Sequence, residues 1–126
     1  MYKIQISAPV KSGEINLLLD STGDDGQRNN FDWDNILSRS LAYVTARDCN
    51  DVLIGFCNLS WDGGRHAIFY DLNINPSHQH KNLPAELVLP LIKEAEMSGV
   101  KYLHADFMRS RFILQNHMVF RMFMRY

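Results

Sequence analysis

No run of apolar residues in this 126-residue chain is long enough to cross a bilayer, which sets membrane-spanning helical proteins aside. The opening M-Y-K-I-Q-I-S-A-P-V also lacks the apolar centre of a secretory signal, so the expected location is cytoplasmic. Cysteine is scarce. Cys49 and Cys57 have neither the spacing of a zinc pair nor a C-x-x-C redox motif, and in a reducing compartment they read as buried or spectator thiols. A basic excess is missing too: 13 Lys and Arg face 14 Asp and Glu, for a formal net charge of -1, which argues against a general nucleic-acid binder. Neither an internal repeat nor a second composition is visible, so residues 1–126 are read as one domain.

What is present is the composition of a globular domain, 46% hydrophobic and 21% charged. A chain of this length buries roughly two thirds of its unfolded surface, enough for an ordinary core. Tyr2 to Ser7 alternates as a short strand. Pro9 suits the first turn of a helix that runs to about Leu19, because proline's missing N–H is not needed there. The polar stretch Ser21 to Asn30 reads as the longest exposed loop, and a cap at Asn30 or Asp32 opens a short helix carrying Trp33, Ile36 and Leu37 on one face. From Leu41 the pattern becomes strands: L-A-Y-V-T-A-R, V-L-I-G-F-C-N-L-S-W and H-A-I-F-Y-D-L-N-I-N, joined by turn chemistry at Asp48–Asp51 and Asp62–Gly64. Together they predict a three-strand antiparallel meander that Pro76 ends.

Leu83, Leu87, Val88, Leu91, Ile92 and Ala95 then form one apolar stripe of a long helix, with Gly99 as its stop. Pro90 lies inside it and predicts a kink, at a cost of about 3 kcal/mol that packing must offset. Lys101 to Phe107 reads as a strand, Ser110 to Asn116 as a short helix and Val119 to Tyr126 as a last strand. The fold class expected is α/β in the α+β sense: a mixed, mostly antiparallel central sheet flanked by helices.

This order of elements resembles the GNAT superfamily of acyl-CoA-dependent N-acetyltransferases. W-D-G-G-R-H-A-I-F-Y-D-L-N-I-N-P-S-H-Q, Trp61 to Gln79, is similar to the meander and fourth strand of one bacterial branch, and K-Y-L-H-A-D-F, Lys101 to Phe107, to its fifth strand. The likeness runs from Ser40 to Phe120. It implies an acyl transfer from acetyl-CoA to a small amine. It also implies that the turn Gln79, His80, Lys81, Asn82, Leu83, Pro84, Ala85 lays its backbone around the coenzyme's diphosphate at a helix N-terminus. The strand Leu72, Asn73, Ile74 would supply a backbone donor near the thioester carbonyl.

In the family this loop reads Q/R-x-x-G-x-G/A, whereas Asn82 and Pro84 stand at its two glycine positions here. Asparagine tolerates left-handed dihedrals but brings a side chain to the anion; proline deletes a donor and fixes φ. One lost hydrogen bond to a phosphate costs about 1.5 to 3 kcal/mol, or roughly one to two decades of affinity. Donors on His80, Lys81, Leu83 and Ala85 remain, and the His80 and Lys81 side chains add positive charge. The expectation is weakened CoA binding.

Asp71 is the carboxylate nearest the implied reaction centre, and a water chain is its alternative as base. Strand alternation puts Asp71 and Leu72 on opposite faces, so Asp71 is otherwise solvated or paired with Arg65 or Lys101. At the C-terminal end the family's F-Y-x-x-x-G-F corresponds to L-Q-N-H-M-V-F, Leu114 to Phe120, with Gln115 at the tyrosine and Val119 at the glycine. A general acid would then be His117, Tyr126 or water. The chain leaves little for the family's final strand. Asp20, Asp24 and Asp25 make the loop that borders the implied amine entrance acidic, and Asp24 and Asp25 are its candidate substrate contacts. No metal is expected: His78 and His80 lack a third ligand, and His66 and His104 on neighbouring strands read as hydrogen-bonded structural histidines. Phe120, Met122, Met124 and Tyr126 share one strand face, an edge that a second copy of the chain would cover in a homodimer. Two further readings stand beside the enzyme: a non-catalytic binding or dimerisation module of the same fold, and an unrelated mixed α/β domain.

Overall fold

The computed structural model describes residues 2–22, 29–78 and 82–105. Five strands form one sheet in chain order: β1 (Lys3–Ile6), β2 (Ser40–Arg47), β3 (Leu53–Trp61), β4 (His66–Ile74) and β5 (Tyr102–Ala105). The first four pair antiparallel. β5 pairs parallel to β4, Tyr102 facing His66 and Ala105 facing Phe69. The hairpins are closed by aspartates. Asp48 Oδ1 accepts the N–H groups of Asn50 and Val52, and Asp62 Oδ1 those of Gly64, Arg65 and His66 at 2.8 to 3.1 Å. These bonds to the charged form hold both carboxyls below the usual range.

The sheet's two faces carry different helices. α1 (Ser12–Thr22) and α2 (Trp33–Leu37) cover one, and α3 (Leu83–Met97) the other. Every residue of the predicted α3 stripe is buried, packed with Val44, Ala46, Leu59, Phe69 and Leu103 of the sheet. The helix continues through Pro90 and ends at Met97, with Ser98 as its C-cap and then Gly99, whose φ of +79° few side chains tolerate. Gly55 lets α3 approach: a Cβ there would stand 3.1 Å from Leu87 Cδ1 and 3.2 Å from Ala46 Cβ.

On the opposite face Ile15 and Leu18 of α1 meet Trp33, Leu53 and Phe56. α1 corrects the expected start, beginning at Ser12 rather than near Pro9. Glu14 fixes the boundary: its carboxylate accepts the Lys11 N–H at 3.0 Å, half of a capping box, and also grips Arg47. Pro9 lies outside the helix, where its carbonyl accepts from the Arg47 guanidinium at 3.4 Å. Asp32 caps α2 as expected, accepting the Asn35 N–H. Buried Asn16 ties the two helices together. Its Oδ1 accepts the Phe31 N–H and the Trp33 indole N–H at 3.1 and 3.0 Å, and its Nδ2 donates to the Phe31 carbonyl.

Candidate active site at the end of the fourth strand

Phe56 faces Asn73 and Asn58 faces Tyr70, so Asp71 and Leu72 both stand opposite Cys57, and Asp71 takes up the extra residue with a φ of +59°. The bulge shifts the phase of the strand's alternation after Phe69. The face that carries Ala67 and Phe69 is continued by Leu72 and Ile74, which pack on the α3 side, and not by Asp71. Nor does Asp71 pair with Arg65, whose guanidinium lies 5.4 Å over the Tyr102 ring six residues back along the chain. Asp71 as a residue is exposed, yet neighbouring atoms crowd its carboxyl, and this desolvation pushes its pKa above the ordinary carboxylate value. The fully buried Cys57 thiol is pushed up as well, chiefly by burial and secondarily by Asp71, which keeps it inert.

Beyond the bulge the Asn75 N–H donates to the Ile54 carbonyl at 2.8 Å. Ladder alternation therefore sends the Ile74 N–H to the other edge of β4, the edge along which β5 pairs further back. Asn75 then turns the chain: its side chain accepts the Ser77 N–H and its carbonyl the His78 N–H, both at 2.9 Å, around a short 3-10 turn at Pro76–His78. The Tyr2 hydroxyl lies 3.3 Å from His78 Nδ1 and steadies the end of that turn.

Gln79, His80 and Lys81 lie outside the described residues. α3 opens with Asn82 at its N-cap, exposed, with φ -99° and ψ -10° and no side-chain capping bond. Asparagine thus stands at the first glycine position without using a left-handed conformation. The first bond of the helix is from the Glu86 N–H to the Asn82 carbonyl at 3.0 Å. The Leu83 and Ala85 amides therefore precede the helical ladder, while Pro84 between them has no N–H to give. Leu83 is buried, so it offers an amide and not a side chain; Pro84 and Ala85 are half-buried. Glu86 in the first turn lies just beyond the stretch that the family's loop pattern covers. Its carboxylate competes for the positive end of the helix dipole that a phosphate would use. A diphosphate thus fits here with two described amides and the dipole, a reduced set of donors.

The end of α1 is anchored to the same stretch. The Thr22 hydroxyl, at the end of α1, lies 2.7 Å from Asn73 Oδ1, two residues past the bulge. Asp20 Oδ1 accepts both the backbone and the side-chain N–H of Asn29, at 2.6 and 2.8 Å, so it ties the end of α1 to the stretch that leads into α2. Asp24 and Asp25 lie outside the described residues. So do His117, Gln115, Val119, Tyr126, the expected helix Ser110 to Asn116 and the expected edge strand. His66 and His104 do approach across the strands, as expected. Among the described residues no group of three or more His, Cys, Asp or Glu stands ready to share a metal ion. No described helix is long and apolar enough to cross a membrane.

Comparison with known proteins agrees with this architecture. Residues 13–113 match the model of the acetyltransferase (GNAT) family. Among solved structures, a GNAT-family acetyltransferase protein from Streptococcus pneumoniae TIGR4 is 21% identical with a TM-score of 0.72, the match covering 92% of this chain and 83% of that one. An acetyltransferase from Trypanosoma brucei is 14% identical with a TM-score of 0.76 over 100% of this chain and 96% of its own. A GNAT-family N-acetyltransferase from Escherichia coli, solved in complex with CoA, is 16% identical with a TM-score of 0.67 over 88% of this chain and 67% of its own. No protein of curated function matches the sequence.

Proposed function

The chain belongs to the acetyltransferase (GNAT) family, and from that premise we propose that it transfers an acyl group from acyl-CoA to a small amine, with weakened contacts to the coenzyme. The observation that carries this reading is the opening of α3 directly after β4, where the Leu83 and Ala85 amides precede the helical ladder. The CoA complex of the Escherichia coli relative supports the choice of donor. When bound, acyl-CoA brings an activated thioester. The Leu83 and Ala85 amides and the α3 dipole hold the diphosphate, together with Gln79, His80 and Lys81 by their place in the sequence. The backbone of Leu72, Asn73 and Ile74 orients the acyl carbonyl. Asp71 receives the proton of the incoming ammonium, a task that its raised pKa suits, since a stronger base captures a proton nearer neutral pH. His117 supplies the proton to the leaving thiolate. Asp24 and Asp25 raise the local concentration of a cationic amine, on a loop whose helical end is tied to Asn73.

One pair of features favours a second reading, a non-catalytic binding module of the same fold: Pro84 withholds a donor and Glu86 sets a negative charge in the same turn. Thiol release from acetyl-CoA, followed over a panel of small amines, separates the two. Amine-dependent release that is saturable in acetyl-CoA is expected; no release with any amine, despite measurable CoA binding, would leave only the binding module.

A further inference from the structure

On the face of the sheet away from α3, at the end of β4 farthest from the bulge, two imidazoles meet that the proposed reaction does not use. His66 faces Tyr102 and His104 faces Ile68, so the two histidines sit one step apart on neighbouring parallel strands. His66 Nδ1 is 3.0 Å from His104 Nε2. The rings are within 19° of parallel, but their centroids are 5.2 Å apart, too far for overlapping faces with so short a contact between nitrogens, so the rings meet edge to edge. One of the facing nitrogens carries a proton and the other does not. A cation bound to both lone pairs takes the place of that shared proton.

We propose that His66 and His104 form a two-ligand site for a divalent transition-metal ion of the imidazole-preferring class, copper(II), nickel(II) or zinc(II), with water completing the shell. Two metal–nitrogen bonds of about 2.0–2.1 Å place their nitrogens roughly 2.9 Å apart at a right angle and about 3.3 Å apart at a tetrahedral one. The observed 3.0 Å lies between these values. Each ring must turn about 40° off the line between the nitrogens to aim its lone pair at a common point, the geometry that those bond lengths set. The surroundings give it room. Both histidines line an open cavity of about 370 Å³ with Ser60, Asp62, Ile68 and Tyr70, and His66 is exposed. Asp62 brings negative charge to that cavity; one of its oxygens is taken by three backbone N–H groups, so it acts through its charge rather than as a third ligand. The nearby Arg65 guanidinium is held over the Tyr102 ring, which stacks on His66 at 4.9 Å. Among the described residues His78 is the remaining histidine, and its Nδ1 already faces the Tyr2 hydroxyl.

The test is calorimetric titration of the tag-free chain with nickel(II), for wild type, His66→Ala, His104→Ala and His78→Ala. One saturating equivalent is expected for wild type, about tenfold or more weaker binding in each of the first two variants, and unchanged binding in the third. His104 is half-buried, so if His104→Ala melts earlier than wild type, His104→Gln replaces it, keeping the bulk without the imidazole. Absence of saturable binding, binding that survives both His66→Ala and the His104 substitution, or binding lost in His78→Ala would overturn the site.

Discussion

A left-handed backbone at Asp71 and a crowded carboxyl are linked demands on one residue, and they make opposite predictions for two substitutions. Asparagine tolerates φ near +60° and carries no charge to desolvate, so Asp71→Asn should fold at least as well as wild type; alanine at the same φ is strained. The sign of the pH effect follows from the raised pKa. Between the unfolded carboxyl value near 3.9 and its raised folded value, the folded state holds the extra proton, so wild type loses stability as pH rises through that window. Urea unfolding at pH 4 and pH 7 should show Asp71→Asn gaining on wild type at the higher pH. Activity should move the other way, falling about a hundredfold or more if the carboxylate is the base. Equal turnover in the two proteins would return that role to water.

Arg47 and Glu14 show the reverse titration. The guanidinium is almost wholly buried and forks onto both Glu14 oxygens at 2.6 and 3.1 Å, while also donating to the Asp51 and Pro9 carbonyls. Arg47 is the main cause of the lowered Glu14 pKa. A lowered acid contributes stability above its unfolded pKa and loses it as pH falls through the folded one. Arg47→Met should therefore destabilise by about 2–4 kcal/mol at pH 7, the scale for opening a mostly buried pair, with a smaller difference at pH 3. Thermal melts at the two pH values check it.

Among the elements, α3 packs on the sheet through its buried stripe and comes close to it at Gly55. A Cβ at Gly55 meets Leu87 and Ala46 inside ordinary contact, so Gly55→Ala should cost about 1–3 kcal/mol in urea unfolding, the range for overpacked cores. At the other end of its function, the α3 N-terminus lacks one donor. Pro84→Ala restores an N–H at the second helical position without glycine's added freedom, and CoA affinity should rise about tenfold, the value of one bond to a phosphate. An unchanged affinity would mean that this position does not face the coenzyme.

Much of this level was legible in the chain. The α3 stripe of Leu83, Leu87, Val88, Leu91, Ile92 and Ala95 is buried as its spacing predicts, and the turns at Asp48 and Asp62 close the meander as their composition predicts. What periodicity does not carry is a change of phase. The inserted residue at Asp71 has no composition signal, since aspartate in a strand pattern reads as an outward polar position, and only the pairing with β3 shows that two residues oppose Cys57. The start of α1 was hidden for a related reason. Pro9 is a favourable first-turn residue, but the bonds from Glu14 to Lys11 and Arg47 set the boundary, and the second of these spans distant sequence.

For the whole molecule, the two apolar cores divide the work. α3 and one face of the sheet build the larger core, while α1 and α2 build a smaller one around Trp33 and Phe56. Family membership rests on the family-model match over residues 13–113, and the proposed acyl transfer on whether the open end of α3 grips a diphosphate. Isothermal titration of the wild-type chain with CoA tests that most directly. One saturable site is expected, with a dissociation constant on the order of 10 µM to 1 mM, a decade or two weaker than a complete set of donors would give. No heat, with no rise in melting temperature at millimolar CoA, would contradict it.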